Sequence, residues 1–314
     1  VAVWDVHAHL IPDEVIRAAE RGRLGTSVSG GTLVCGSSRL PLAKLANPAA
    51  LLARLEQNGV DGAVVSAPPA LFRYDLPGAD ALRWAALLNE GMARTVADSG
   101  GRLRAFGYVP LASGPLAAST VAALGQDWCG YVIGTPPNGT TLAHRDLEPL
   151  WSAAAEELGF FFFHPGECPD ERLDAFYLGN LLGNPYETSL AAAGLVFGDV
   201  IGRQPRLRFA LAHGGGATAM LAGRWQRGYE LRRPGIETLT LEPREALRRM
   251  LVDSIVHAPA ALDLAASVFG AEHILLGSDW PFPMGGAEPV GELPPDLRQT
   301  ISLAAARHVP NLPS

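Results

Sequence analysis

The stretch "VWDVHAHL", residues 3–10, joins a strand-like apolar run to an aspartate and two histidines in alternation. Successive side chains of a strand point to opposite faces. The spacing therefore places Asp5, His7 and His9 on one face and Val6 and Ala8 on the other. A buried polar group without a partner costs about 1–3 kcal/mol. Two imidazoles two residues apart escape that cost by gripping one metal ion. The stretch predicts a first strand whose C-terminal end faces a ligand site.

Seven further runs share this look: Val60–Pro68, Leu103–Leu111, Gly130–Pro136, Gly159–Pro165, Leu207–His213, Met250–His257 and Ile274–Trp280. Most are rich in Val, Ile, Leu or Phe without strict alternation, as expected of parallel strands covered on both faces. Helical composition fills the stretches Pro48–Asn58, Ala79–Ser99, Asp146–Leu158, Thr188–Gly202, Ala217–Leu231, Ala258–Phe269 and Leu297–Val309, with a weaker candidate at Pro115–Leu124. Asn47 precedes Pro48 as a cap residue before a first-turn proline. Eight alternations of strand and helix predict a (β/α)8 TIM barrel, one domain over residues 1–314. No G-x-G-x-x-G follows the first strand, which counts against an open doubly wound sheet. Two connections are long: Leu10–Asn47 after the first strand and Gly166–Glu187 after the fifth. Both follow strand C-terminal ends, where barrel enzymes build their sites.

Those ends carry the chemistry. "GFFFFHPG" ends its strand with His164, "LRFALAHGGG" with His213, and "ILLGSDWPF" with Asp279. In a closed parallel barrel they converge on one rim with His7 and His9. Nitrogen donors plus one carboxylate suit zinc first, then manganese or iron, whereas calcium and magnesium prefer oxygen shells. The expected ligands of one divalent metal are His7, His9, His164 and Asp279, with Asp5 supporting a histidine. His213 remains as the group that exchanges a proton near neutral pH, and Asp279 can share that work.

The formal net charge is −7 and no basic block appears, so nucleic acid is not an expected partner. No apolar stretch approaches the roughly 20 residues that span a bilayer. Three cysteines, with no C-x-x-C pair, argue against a disulfide scaffold or zinc ribbon. The chain starts almost at a strand, with no signal-peptide pattern, and a cytoplasmic setting is expected.

With "DVHAH", "HPG", "AHGGG" and "GSDWPF" at these spacings, the sequence resembles the amidohydrolase superfamily. Within it, the chain is similar to the branch of decarboxylases acting on 2-amino-3-carboxymuconate-6-semialdehyde and on aromatic acids. The stretches "GNPYETSLAAAGLVFG", "LAHGGGATAMLAGRWQRGY" and "SIVHAPAAL" extend the resemblance over nearly the whole chain. Many hydrolases of the superfamily bridge two metals through a carbamylated lysine after the fourth strand. Here that strand ends "YVIGTPPNG", and Lys44, the sole lysine, lies in the first long loop. A single metal remains.

The resemblance implies a metal-dependent, non-oxidative decarboxylase of a small aromatic or unsaturated carboxylic acid. Either His213 activates water for addition before carbon dioxide leaves, or His213 or Asp279 protonates carbon directly. The resemblance also implies a homodimer in which Arg224 reaches the partner's site as a carboxylate clamp. A second substrate arginine is expected from the first loop. Arg39 is the nearest match, a few residues early. Tyr177 stands where the family carries a pocket tryptophan, Phe282 matches a pocket phenylalanine, and Glu187 matches the family's P-x-E-T. A hydrolase or hydratase keeping the same site is the alternative reading, and a catalytically silent metal-binding barrel is a third.

Overall fold

Four phenylalanines in a row, Phe160–Phe163, show how the chain buries its strands. In the computed structural model, which describes residues 2–137 and 139–313, all four are buried. Phe160 and Phe162 turn inward onto Phe106, with ring centroids 5.7 and 5.3 Å away. Phe161 turns outward onto Trp151 and Phe209, at 5.2 and 5.4 Å. A strand covered by apolar side chains on both faces needs no alternation. Each such burial contributes about 1.5–3 kcal/mol.

The strands run in chain order as β1 (Trp4–His9), β2 (Thr26–Ser29), β3 (Thr32–Cys35), β4 (Ser38–Pro41), β5 (Gly62–Ser66), β6 (Leu103–Ala105), β7 (Gly107–Tyr108), β8 (Tyr131–Ile133), β9 (Phe160–Phe163), β10 (Arg208–Leu211), β11 (Leu251–Asp253) and β12 (Ile274–Leu275). β1, β5 and β6 form one parallel sheet, and β7 to β12 form another. β6 and β7 are halves of a single barrel strand divided at Phe106, whose amide bonds Val65 O while the next amide bonds Gly130 O. At the other seam Ala8 bridges Trp280, and Val6 N donates to Leu276 O at 2.8 Å. The barrel is thereby closed, with helices such as Pro48–Gln57, Glu148–Glu156 and Thr218–Glu230 on its outside. Among the described residues, the eight apolar runs of the sequence are its eight strands.

The first strand departs from strict alternation. Asp5 pairs with Ala63 and Ala8 with Val65, so β1 advances three residues while β5 advances two. Such a bulge shifts every later side chain by one position. Val6 consequently packs inside the barrel with Val64 and Phe162, while Ala8 packs outside with Leu51 and Leu55. Asp5 is out of step with the two histidines. Its carboxylate accepts from Ser278 Oγ at 2.5 Å and Ser278 N at 3.0 Å, and so ties β1 to the last strand rather than to a histidine ring.

The first long loop is structured. It carries a helix, Asp13–Glu20, and the antiparallel sheet β2–β3–β4. Arg73 holds this insertion to the barrel, donating from Nη1 to Leu24 O at 2.8 Å.

Arg208, at the start of β10, donates to His308 Nδ1 at 2.7 Å, and His308 Nε2 donates to Glu272 O at 2.9 Å. The first bond needs a neutral imidazole, because Nδ1 must accept from the guanidinium. Burial, then the Arg208 charge, lowers the His308 pKa from 6.5 to about 4. The unfolded chain therefore binds this proton where the folded chain does not. The stabilisation is complete above pH 6.5 and is lost as pH falls toward 4. Thermal melts between those values should show the wild type losing more of its melting temperature than the His308→Gln variant. Parallel curves would contradict the assignment.

Candidate metal centre

Four imidazoles crowd the barrel mouth. His7 and His9 come from the end of β1, His164 follows β9, and His213 follows β10. Ring centroids lie 5.1 Å apart for His7–His9, 4.9 Å for His7–His164 and 5.1 Å for His164–His213. Below them the Phe162 ring stands 5.0 Å from His7 as a floor. One ligand atom each from His7, His164, His213 and Asp279 lies within 4.8 Å of all the others. His9 adjoins the same group: its Nε2 is 3.2 Å from His7 Nε2 and 3.1 Å from Asp279 Oδ1.

The hydrogen bonds fix which nitrogens face inward. His7 Nδ1 donates to Asp253 Oδ2 at 2.6 Å, and His164 Nδ1 donates to Pro165 O at 2.9 Å. In both rings Nε2 is thereby the nitrogen directed at the centre. His164 Nε2 is buried and has no partner among the described residues. Two inward nitrogens 3.2 Å apart beside a carboxylate, with a third orphaned, form a donor set that a cation resolves. The residues fit a single divalent metal.

The electrostatics agree. Burial opposes charge on His7, but the Asp279 and Asp253 carboxylates outweigh it and raise its pKa to about 10. Burial holds His9 low, and burial plus neighbouring His7 holds His164 well below the ordinary imidazole value. Asp279 stays well below the usual carboxylate range, because the surrounding histidines overcome its burial. The centre thus draws positive charge to His7 while His9 and His164 are held neutral.

Asp253 is the site residue that the sequence reading passed over. Wholly buried at the end of β11, it accepts from His7 Nδ1 and His213 N on Oδ2, and from Gly214 N and Ile255 N on Oδ1. It fixes one histidine ring and the turn carrying another. That turn is strained, with His213 at φ 54°. A Cβ on Gly214 would lie 2.1 Å from Val256 Cγ1, and one on Gly216 2.3 Å from Pro185 O. The glycines after His213 accommodate neighbouring chain. The available signal for Asp253 was a lone acid inside "MLVDSIVH".

A cavity of about 1540 Å³ opens above the cluster, lined by His164, His213, Asp279, Tyr177 and Phe282 among others. The Phe282 ring is 5.3 Å from His9. Tyr177 is 61% exposed, so it is free to cover a ligand. Arg39 lies on β4, exposed and outside the cavity lining. Arg224 is exposed on the helix Thr218–Glu230, also outside the lining. Among the described residues, the arginines that line the cavity are Arg73 and Arg172. Each is bound to its own aspartate, Asp75 and Asp170 respectively.

A family model described as "Amidohydrolase" matches residues 4–306. The 2-amino-3-carboxymuconate-6-semialdehyde decarboxylase of Dictyostelium discoideum is 31% identical over 260 residues, covering 81% of this chain and 71% of that protein. The crystal structure of 5-carboxyvanillate decarboxylase from Sphingomonas paucimobilis superposes with a TM-score of 0.81 at 21% identity, covering 98% of both chains. That of a dihydroxybenzoic acid decarboxylase from Polaromonas, with bound manganese and the inhibitor 2-nitroresorcinol, has a TM-score of 0.77 at 17% identity. It covers 98% of this chain and 96% of that one. At these identities the structural likeness shows the fold. No helix among the described residues is long and apolar enough to cross a membrane.

Proposed function

Since the chain belongs to the amidohydrolase family, we propose that it is a single-barrel, metal-dependent decarboxylase that removes carbon dioxide from a small aromatic or unsaturated carboxylic acid. The observation that carries this reading is the inward-facing set of His7, His164, His213 and Asp279, with His9 beside it, at the floor of an open cavity.

We assign metal ligation to His7, His9, His164 and Asp279, and choose zinc for its fit to a nitrogen-rich donor set. Manganese, held by one of the related structures, is the other ion that this set suits. When bound, the ion supplies fixed positive charge that orients the acid's oxygens and absorbs charge developing at the reacting carbon. His213 and Asp279 handle the proton. Decarboxylation leaves an electron pair on carbon, and a proton must take the place of the departing carboxylate. The His213 Nε2 stands 3.7 Å from Asp279 Oδ2, close enough for the two to work as one proton-carrying pair at the cavity floor. Phe282 and Tyr177 flank the substrate with apolar faces.

The substrate carboxylate also needs a cation from the protein, and the lining arginines are already neutralised by aspartates. This supports a homodimer in which Arg224 enters the neighbouring subunit's cavity, with Arg39 approaching from the first loop. Unpaired thiols at Cys35, Cys129 and Cys168 support a reducing, cytoplasmic setting.

Carbon dioxide release should be measured over a panel of hydroxybenzoic and muconate-type acids, with metal content determined by elemental analysis. Release that stops on chelation and returns with a divalent ion is expected. Hydrolysis products without carbon dioxide would overturn the assignment. The Arg224→Ala variant should raise KM at least about tenfold, the value of a lost charge-assisted contact. Unchanged kinetics would remove it from the site.

A further inference from the structure

Glu187 sits in the first turn of the helix Asn184–Phe197 and is only 4% exposed, yet it lines the active-site cavity. The helix is pressed against the His213 turn. Ser189 Oγ accepts from Ala217 N at 2.9 Å, and Pro185 O crowds Gly216 so closely that no Cβ fits there. Glu187 therefore belongs to the wall beside the proton-carrying histidine.

Its carboxylate is under-supplied. It does not cap its own helix, and no nitrogen or hydroxyl among the described residues donates to it. Its neighbour is the Cys168 thiol, a weak donor, whose pKa is pushed up to about 11 by burial and by Glu187. A carboxylate on a side chain this buried, facing the cavity with a thiol for its neighbour, gains from a better donor. The arginines nearby are committed to Asp75 and Asp170 and do not supply one.

We propose that Glu187 is a specificity-determining residue that accepts a hydrogen bond from an N–H or O–H on the substrate. That donor is a substituent other than the groups next to the leaving carboxylate. This rests on the decarboxylase reading and narrows its substrate class: the preferred acid carries a hydroxyl or amine at a further position. An isostere with that donor blocked leaves Glu187 buried and unmet, a situation that sites of this kind reject strongly.

The test uses pairs of acids that keep the group beside the carboxylate constant, such as 2,4-dihydroxybenzoate against 2-hydroxy-4-methoxybenzoate, with 4-amino-2-hydroxybenzoate as the amine. The hydroxyl is moved around whichever scaffold releases carbon dioxide. The wild type should prefer one donor-bearing acid over its methyl ether by at least tenfold in kcat/KM. Glu187→Gln should cut that ratio at least tenfold, chiefly by raising turnover of the methyl ether, whose oxygen the new NH2 can meet, and that turnover also shows that the variant is folded. Cys168→Ala should keep the preference, because the thiol only waits in the donor's place. Equal ratios in wild type and Glu187→Gln overturn the Glu187 assignment alone. No carbon dioxide from any acid overturns the decarboxylase reading itself.

Discussion

The His213→Ala variant is expected to keep one divalent metal per chain while losing about 10³-fold in decarboxylation, within the usual range for removing a proton-transfer group. His213 Nδ1 is buried without a partner, and Nε2 lies 3.7 Å from Asp279. No strong structural hydrogen bond of the side chain is lost on truncation. The turn itself is held through the backbone, with His213 N donating to Asp253 at 2.9 Å, and alanine keeps that bond. Alanine also carries a Cβ, so the left-handed conformation at this position costs much the same in either protein. His7, His9, His164 and Asp279 remain as four donors. Elemental analysis and carbon dioxide release on one preparation separate the roles. Metal lost together with the ring would make His213 a ligand first.

Asp253→Asn should be nearly as damaging, by a different route. Each oxygen of Asp253 accepts two hydrogen bonds. Asparagine replaces one oxygen with an NH2 that confronts two donors. Two bonds at about 1–3 kcal/mol each predict a loss of about 2–6 kcal/mol in the metal-free protein. If the NH2 meets His7, that ring loses its orientation, and metal affinity should fall roughly 10- to 100-fold. Denaturant unfolding of the metal-free chain and calorimetric metal titration measure the two effects. Wild-type values in both would show that Asp253 neither orients the ring nor holds the turn.

The barrel was legible because parallel strands buried on both faces leave continuous apolar runs, and Phe160–Phe163 is the extreme case. Polar residues at the ends of such runs stand out, so His164, His213 and Asp279 could be read directly. What lay outside that contrast was missed. The strands β2, β3 and β4 are four residues each and rich in Ser, Thr and Gly turns, too short to show a period. The bulge in β1 leaves no mark in "VWDVHAHL", because Val6 and Ala8 are apolar whichever face they take. Asp253 was hidden by its own burial, an acid three of whose four partners lie on His7, His213 and Gly214, far from it in sequence.

The small sheet over the barrel mouth satisfies its ladder bonds within its own three strands, and its β3–β4 turn, Cys35–Ser38, lines the cavity. Its side-chain tether to the barrel includes Arg73, through Leu24 O and Cys35 Sγ. Such an insertion behaves as a cassette. A lineage can lengthen, shorten or exchange it to admit a new acid while the metal-holding rim, assembled from other strands, is inherited intact.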